Sequence, residues 1–321
     1  MLTAFIVERE HLTRVEWSGG PLPPAAAWLD LAHPSRDEER LVESYLGLEV
    51  PTREDMLEIE ASSRVYREGD ALFMTAILLA NTDTEKPEAT PVSFILANGC
   101  LITIRYSDPR SVQSFMARAQ RTGGYHSGAT ALVGLLEAIV DRTADILERL
   151  GLEVEALTRE VLEHQGQKQG REFREILQNI GQRGDLNGKA RESLVSLGRV
   201  LTFLLQGLAD KQQPKELRGR LKTLGRDIGS LTDHASFLSN KLNFLLDATL
   251  GMINIEQNAI IKIFSVAAVV FLPPTLIASI YGMNFDLMPE LDWRFGYPLA
   301  VGLMILSAII PYWFFKRRGW L

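Results

Sequence analysis

Nine positions near the end of the chain, stepping by three, four or seven residues, place polar and small side chains, with two bulky apolar ones among them, along one line of a helix. They are Asp247, Asn254, Asn258, Ile261, Ser265, Ala268, Leu272, Thr275 and Ser279. Such a line has two possible uses. Small and hydroxyl residues let helices approach closely in a membrane, or the same groups line a wet path for a polar solute. Asp247, Asn254 and Asn258 continue the line upstream of the apolar stretch, where close-packing residues are not required. Downstream it runs directly into Gly282, Met283 and Asn284. The segment that follows carries Asp286, Glu290 and Asp292 against a single Arg294, so several copies would concentrate cations there. Both readings stand on spacing alone.

The elements that hold these groups are legible in the charge pattern. Residues 263–281 and 297–315 are two runs of nineteen without a charged side chain. Each spans about 28 Å as a helix, close to the roughly 30 Å of bilayer hydrocarbon. A buried helical hairpin of a soluble protein is the competing reading. Lys262 precedes the first run, and Lys316, Arg317 and Arg318 follow the second, whereas the connection is acidic. The positive-inside rule then puts both ends in the cytoplasm, with the basic residues near the inner membrane face. Snorkelling to anionic headgroups accounts for that ring, and tuning of gating is the alternative. The first residues, MLTAFIVEREHL, do not read as a cleaved signal. Cys100 is the one cysteine, in keeping with a reducing compartment.

Upstream, the chain reads as α+β. Residues 1–125 alternate strand and helix signals: LTAFIV, TRVEW and WLDL as strands, a capping box at Ser35–Glu38 opening a helix to about Leu46, and a short helix from near Thr52. Two hairpins follow, one turning at Glu68-Gly69-Asp70 and one at Asn98-Gly99, with NTDTEKPEATP between them as an exposed loop. Residues 126–213 are helical. Pro214 then marks a start, and a leucine-rich stripe supports one helix from about Lys215 to Tyr281, roughly 100 Å long. The expected segments are residues 214–262 as a cytosolic stalk, 263–281 as the first span, 282–296 as a periplasmic loop, 297–315 as the second span and 316–321 as a basic tail. Two spans cannot enclose a wet path, so a channel would need a symmetric oligomer.

Other chemistries find no support. There is no Gly-rich phosphate loop, so neither nucleotide nor organic cofactor is expected. The five histidines are scattered, no nucleophile–base arrangement stands out, and the chain does not read as an enzyme. A formal net charge of −6 speaks against nucleic acid.

Tyr281-Gly282-Met283-Asn284 followed by Met288-Pro289-Glu290-Leu291 resembles the signature of the CorA family of divalent-cation (magnesium) transporters, closest to its bacterial members. The likeness is strong over residues 253–298 and in the tail FKRRGWL, and elsewhere lies in layout. It implies a funnel-shaped homopentamer in a bacterial inner membrane, with the first spans around a pore and the second outside. Gly282, Met283 and Asn284 would be the pore mouth, where Met283 holds the turn and five Asn284 amides select a hydrated Mg2+. Mg2+ would be both substrate and regulatory ligand, with Co2+ and Ni2+ also carried. Glu290, within the matched motif, is the first cation-attracting acid. Regulatory sites between subunits would use acids such as Asp227 and Asp233 on the stalk facing Asp83 or Glu88, each of which reads equally as a solvated acid. A hydrophobic constriction is implied as well, with Ile261 and Leu272 on the line and Phe264 slightly off it. The alternatives are the ZntB branch of zinc transporters and a non-conducting membrane-anchored scaffold or sensor; the intact Met-Pro-Glu-Leu loop favours magnesium.

Overall fold

The computed structural model describes residues 1–15, 20–84, 86–163, 170–208, 214–283, 288–289 and 293–319. They form two compact units, Met1–Glu163 with Ile176–Leu245, and His164–Glu175 with Leu246–Leu321.

The first unit contains a mixed sheet of seven strands: β1 (Leu2–Glu8), β2 (His11–Val15), β3 (Ala26–Ala32), β4 (Val65–Glu68), β5 (Ala71–Ala80), β6 (Glu88–Ala97) and β7 (Cys100–Arg105). Their spatial order is β2-β1-β3-β7-β6-β5-β4. The central pair β3–β7 is parallel and its neighbours are antiparallel. Every residue of β5 and β7 is buried, which explains why ALFMTAILLA and CLITIR read as continuous apolar runs. Leu41, Val42 and Leu46 from α1 (Arg36–Leu46) and Met56 from α2 (Arg53–Leu57) join one part of the core. Elsewhere Phe5 stacks on Trp28, Trp28 meets Phe115 of α4 (Arg110–Ala119) at a tilt, and Phe115 meets Tyr125 edge-on.

The expected turns form as read. Asn98 and Gly99 have φ of 52° and 77°, the double positive a type I′ turn requires. Ser35 and Glu38 make the reciprocal capping box, and Thr52 with Asp55 makes a second. β2 ends at Val15, and Glu16 and Trp17 of the expected strand TRVEW lie outside the described residues. One expectation needs correction: the polar loop is shorter than its composition suggests, because β6 already begins at Glu88 and Pro91 pairs with Ile77. Pairing with β7 starts only at Val92, so Pro91 sits where β6 has a single strand neighbour. A residue without a backbone donor is tolerated there. Beyond Met74, β5 likewise has no β4 partner, and the Ile77 N–H donates instead to Ser196 Oγ at 2.9 Å.

A buried polar chain ties the parallel strands together. Trp28 Nε1 donates to Thr103 Oγ1 (3.0 Å), and that hydroxyl donates to Asp30 Oδ1 (2.6 Å). The Arg105 guanidinium grips both Asp30 oxygens, its shortest bond running from Nη2 at 2.9 Å. Its Nη1 donates to Ser107 O and to Asp108.

Four long helices complete the described chain: α5 (Gly128–Glu163), α6 (Gly170–Gly207), α7 (Lys215–Tyr281) and α8 (Gly296–Arg317), after the short α3 (Ala61–Arg64). Helix α7 starts after Pro214 as expected and runs on through Pro273 and Pro274 to Tyr281. Leu217, Leu221, Leu224, Ile228, Ala235, Leu238, Leu242 and Leu245 are its buried face, and each fully buried leucine is worth about 1.5–3 kcal/mol. Helix α5 meets that region through a two-bond fork from Arg220 to Glu137 (2.8 and 2.6 Å). From α6, Asn187 Nδ2 donates to Ala235 O and Ser239 Oγ.

In the second unit, α7 and α8 each contain a stretch long and apolar enough to cross a membrane, and almost none of it is buried by the chain. A hairpin in a soluble core would be covered. Bare apolar faces of this size are those of a membrane or a partner.

Candidate functional site

Helix α7 carries the whole polar line. Asp247, Asn254, Asn258, Ile261, Ser265, Ala268, Leu272, Thr275 and Ser279 are all exposed. Within the apolar stretch Val266 is buried, and Ala267, Val270, Pro273, Pro274, Ile277 and Tyr281 are partly covered. Those repeat by four and three as well, but fall on the opposite side of a helix turning 100° per residue. The chain therefore leaves the polar line uncovered, within a wider bare face of α7 that also carries Val269, Phe271, Leu276 and Ile280. The hydroxyl of Thr275 donates back to Phe271 O (2.7 Å), so its proton is used within the helix and its oxygen lone pairs remain available. Ile261, Leu272 and Phe264 are 60%, 65% and 70% exposed, bulky enough to narrow whatever path that face lines.

The helix closes at its far end through backbone bonds. Gly282 N–H donates to Ala278 O (2.9 Å) and Met283 N–H to Ile280 O (3.2 Å). A Cβ at 282 would lie 3.1 Å from Ala278 O, tight enough to explain a glycine there. Met283 is nearly half exposed in the single chain. Asn284, Asp286, Glu290 and Asp292 lie outside the described residues.

At the end of α8 the basic residues lie back over aromatic rings four positions earlier: Lys316 over Tyr312 (6.0 Å), Arg317 over Trp313 (3.7 Å) and Arg318 over Phe314 (5.4 Å). Cations over aromatic faces at a helix end suit the polar–apolar boundary of a bilayer. Lys262 is exposed too.

The acids read as regulatory candidates are scattered. Asp83 is held by three arginines: Arg149 Nη1 at 2.8 Å, Arg142 Nη2 at 3.1 Å, and Arg110. The bond from Arg149, with the charges of Arg142 and Arg110, holds its pKa below the ordinary carboxylate value against partial burial. Asp227 is exposed and shares a surface pocket with Glu137, Asp141, Glu216 and Arg220. Burial raises the pKa of Asp141 there, reinforced by Glu137, Asp145 and Asp227 and opposed by Arg118. Asp233 and Glu88 are exposed. Among the described residues no group of three or more His, Cys, Asp or Glu side chains is disposed to hold a metal within one chain. Sequence reading did not single out Glu137, partly buried against Arg220, or Asp141, exposed one helical turn further along α5.

Known proteins resemble this chain along its length. The family model described as CorA-like Mg2+ transporter protein matches residues 25–317. The magnesium transport protein CorA of Pasteurella multocida is 36% identical over 322 residues, covering all of both chains. The complete CorA magnesium transporter structure from Methanocaldococcus jannaschii superposes with a TM-score of 0.76 at 22% identity, covering 100% of this chain and 99% of that one. The ZntB cytoplasmic domain from Vibrio parahaemolyticus is a more distant match in fold, with a TM-score of 0.57 at 11% identity over 78% of this chain and 97% of its own. The CorA relatives are transporters, not enzymes. A full-length match at this identity, on a chain with two membrane-length helices, makes it a member of the CorA-like Mg2+ transporter family.

Proposed function

We propose that this chain carries Mg2+ passively across a bacterial inner membrane through a path lined by the bare face of α7 from several copies, most simply five. The observation that supports it best is the continuous exposure of the line from Asp247 to Ser279 opposite the covered positions of the same helix. Residues 263–281 and 297–315 form the two spans, residues 214–262 the stalk, and both chain ends lie in the cytoplasm, in keeping with Lys262 and Lys316–Arg318. At the outer mouth, Asn284 amides from each copy accept the hydration shell of the ion. Mg2+ dehydrates reluctantly, so neutral oxygens that hydrogen-bond its water suit it better than a dehydrating cage. Asp286, Glu290 and Asp292 raise the local cation concentration. A divalent ion gains about 4.6 kcal/mol per 100 mV, enough to drive uptake without nucleotide.

Oxygen sites of this kind discriminate weakly among divalent ions, so Co2+ and Ni2+ share the path. Cytosolic Mg2+ closes it by neutralising acids between copies. Asp227, Asp233 and Glu88 are exposed for that role, whereas Asp83 would first have to release its arginines. Flux into liposomes reconstituted with the full chain, measured separately for Mg2+, Co2+, Ni2+ and Zn2+, tests the reading. Asn284→Ala is expected to abolish Mg2+ entry with oligomer mass unchanged. Undiminished Mg2+ entry refutes the selectivity role, entry of Zn2+ alone moves the chain to the zinc branch, and no entry of any ion for the wild type leaves a scaffold.

A further inference from the structure

Two apolar patches of the first unit have no use in a single chain. One is on α7, where Phe237 and Phe244 are 58% and 57% exposed and stand seven residues apart on one face. The imidazole of His234 stacks beside Phe237 at 6.3 Å, and Lys241 lies between the two phenylalanines along the helix. The other is the connection from α2 to α3, where Leu57 is 56% and Ile59 87% exposed, alternating with Glu58 and Glu60. Both patches belong to the same compact unit, and neither is covered within it.

We propose that the Leu57–Glu60 knob of one copy seats on the Phe237–Phe244 face of the next copy. This rests on the oligomeric reading above and deepens it. A two-fold dimer uses one self-complementary patch twice, but a closed ring of more than two subunits needs two different patches that fit each other. The pair here is complementary in both chemistry and charge. A protruding apolar pair meets two aromatic faces, and the glutamates on either side of Ile59 meet Lys241. Phe237 and Phe244 also lie on the upstream extension of the polar line, ten and three residues before Asp247. At these levels the bare face of α7 is sealed by a neighbouring chain. The wet part of the line begins nearer the membrane.

Cysteine pairing tests this on the full chain in liposomes. The native Cys100 is buried and does not compete. With Ile59→Cys and Phe244→Cys combined, a short flexible bis-maleimide is expected to give a ladder of covalent multimers on a denaturing gel. The top rung counts the subunits of the ring, and the two single variants give monomer. Ile59→Cys with Phe237→Cys is a second pair, so the result does not hang on one position. Monomer bands from both double variants, in a preparation whose native mass is oligomeric, overturn the proposed contact and leave the transport reading intact. A native mass of one chain overturns both.

Discussion

Truncating Asp30 to alanine is expected to loosen the sheet domain severely while leaving the apolar part of α7 untouched. Asp30 and Arg105 have side chains only 2% and 6% exposed, and they meet at 2.9 Å between the two parallel strands. Removing the carboxylate strands a guanidinium with no water to receive it, and breaking a buried pair from one side costs about 3–5 kcal/mol. Arg105 keeps Ser107 O and the half-exposed Asp108, which places Asp30→Ala at the lower end, about 3 kcal/mol. For a unit of this size each kcal/mol moves the midpoint by about 2–4 °C, so its thermal transition should fall by about 6–12 °C. Tryptophan fluorescence of the purified full chain reads the change, because Trp28 donates into the same network. Asp30→Leu combined with Arg105→Met removes both charges and should restore much of the loss. A fall of less than about 2 °C for the single variant would refute the reasoning. A double variant as unstable as the single would show that lost packing, not a stranded charge, is responsible.

Two further outcomes follow from groups outside the membrane. Burial pushes the Cys100 thiol up to about 12, so it should resist alkylation at pH 8 in the native chain and react only on unfolding; rapid native labelling would contradict its burial. The arginines around Asp83 depress its carboxyl pKa, so their tether between the β5–β6 connection and α4 and α5 is intact above the ordinary aspartate range. It is lost as the pH falls through the depressed value. Hydrogen exchange in residues 81–84 of Asp83→Asn at neutral pH should match the acidified wild type, and unchanged protection would show that the arginines hold nothing there.

Local chemistry was easy to read from the residues, and distant pairing was not. Pro214 followed by a long proline-free interval is a local signal, and α7 runs over the expected Lys215–Tyr281. Asn98-Gly99 is another, since few residue pairs accept two positive φ angles. Nothing local announces that β3 lies parallel to β7, seventy residues on, or that Asp30 and Arg105 meet there. Their burial follows from strand order, which periodicity does not encode. Pro91 misled for a related reason: a proline among polar residues reads as a loop unless one knows that β7 has already ended beside it. The polar line on α7 was legible because helix geometry alone fixes it. Its exposure was not, since that depends on which face α8 and the rest of the chain leave uncovered.

The hydrogen bond from Ile77 to Ser196 spans 119 residues of sequence, and it has a consequence for synthesis. A ribosome delivers the sheet strands well before α6 emerges. During that interval the outer half of β5 keeps an open main-chain donor beside a fully apolar run, a ready template for pairing with another nascent chain. Release of the hydroxyl at position 196 from the exit tunnel ends that exposure, so the strand-rich half becomes safe only when more than half of the polypeptide has been made.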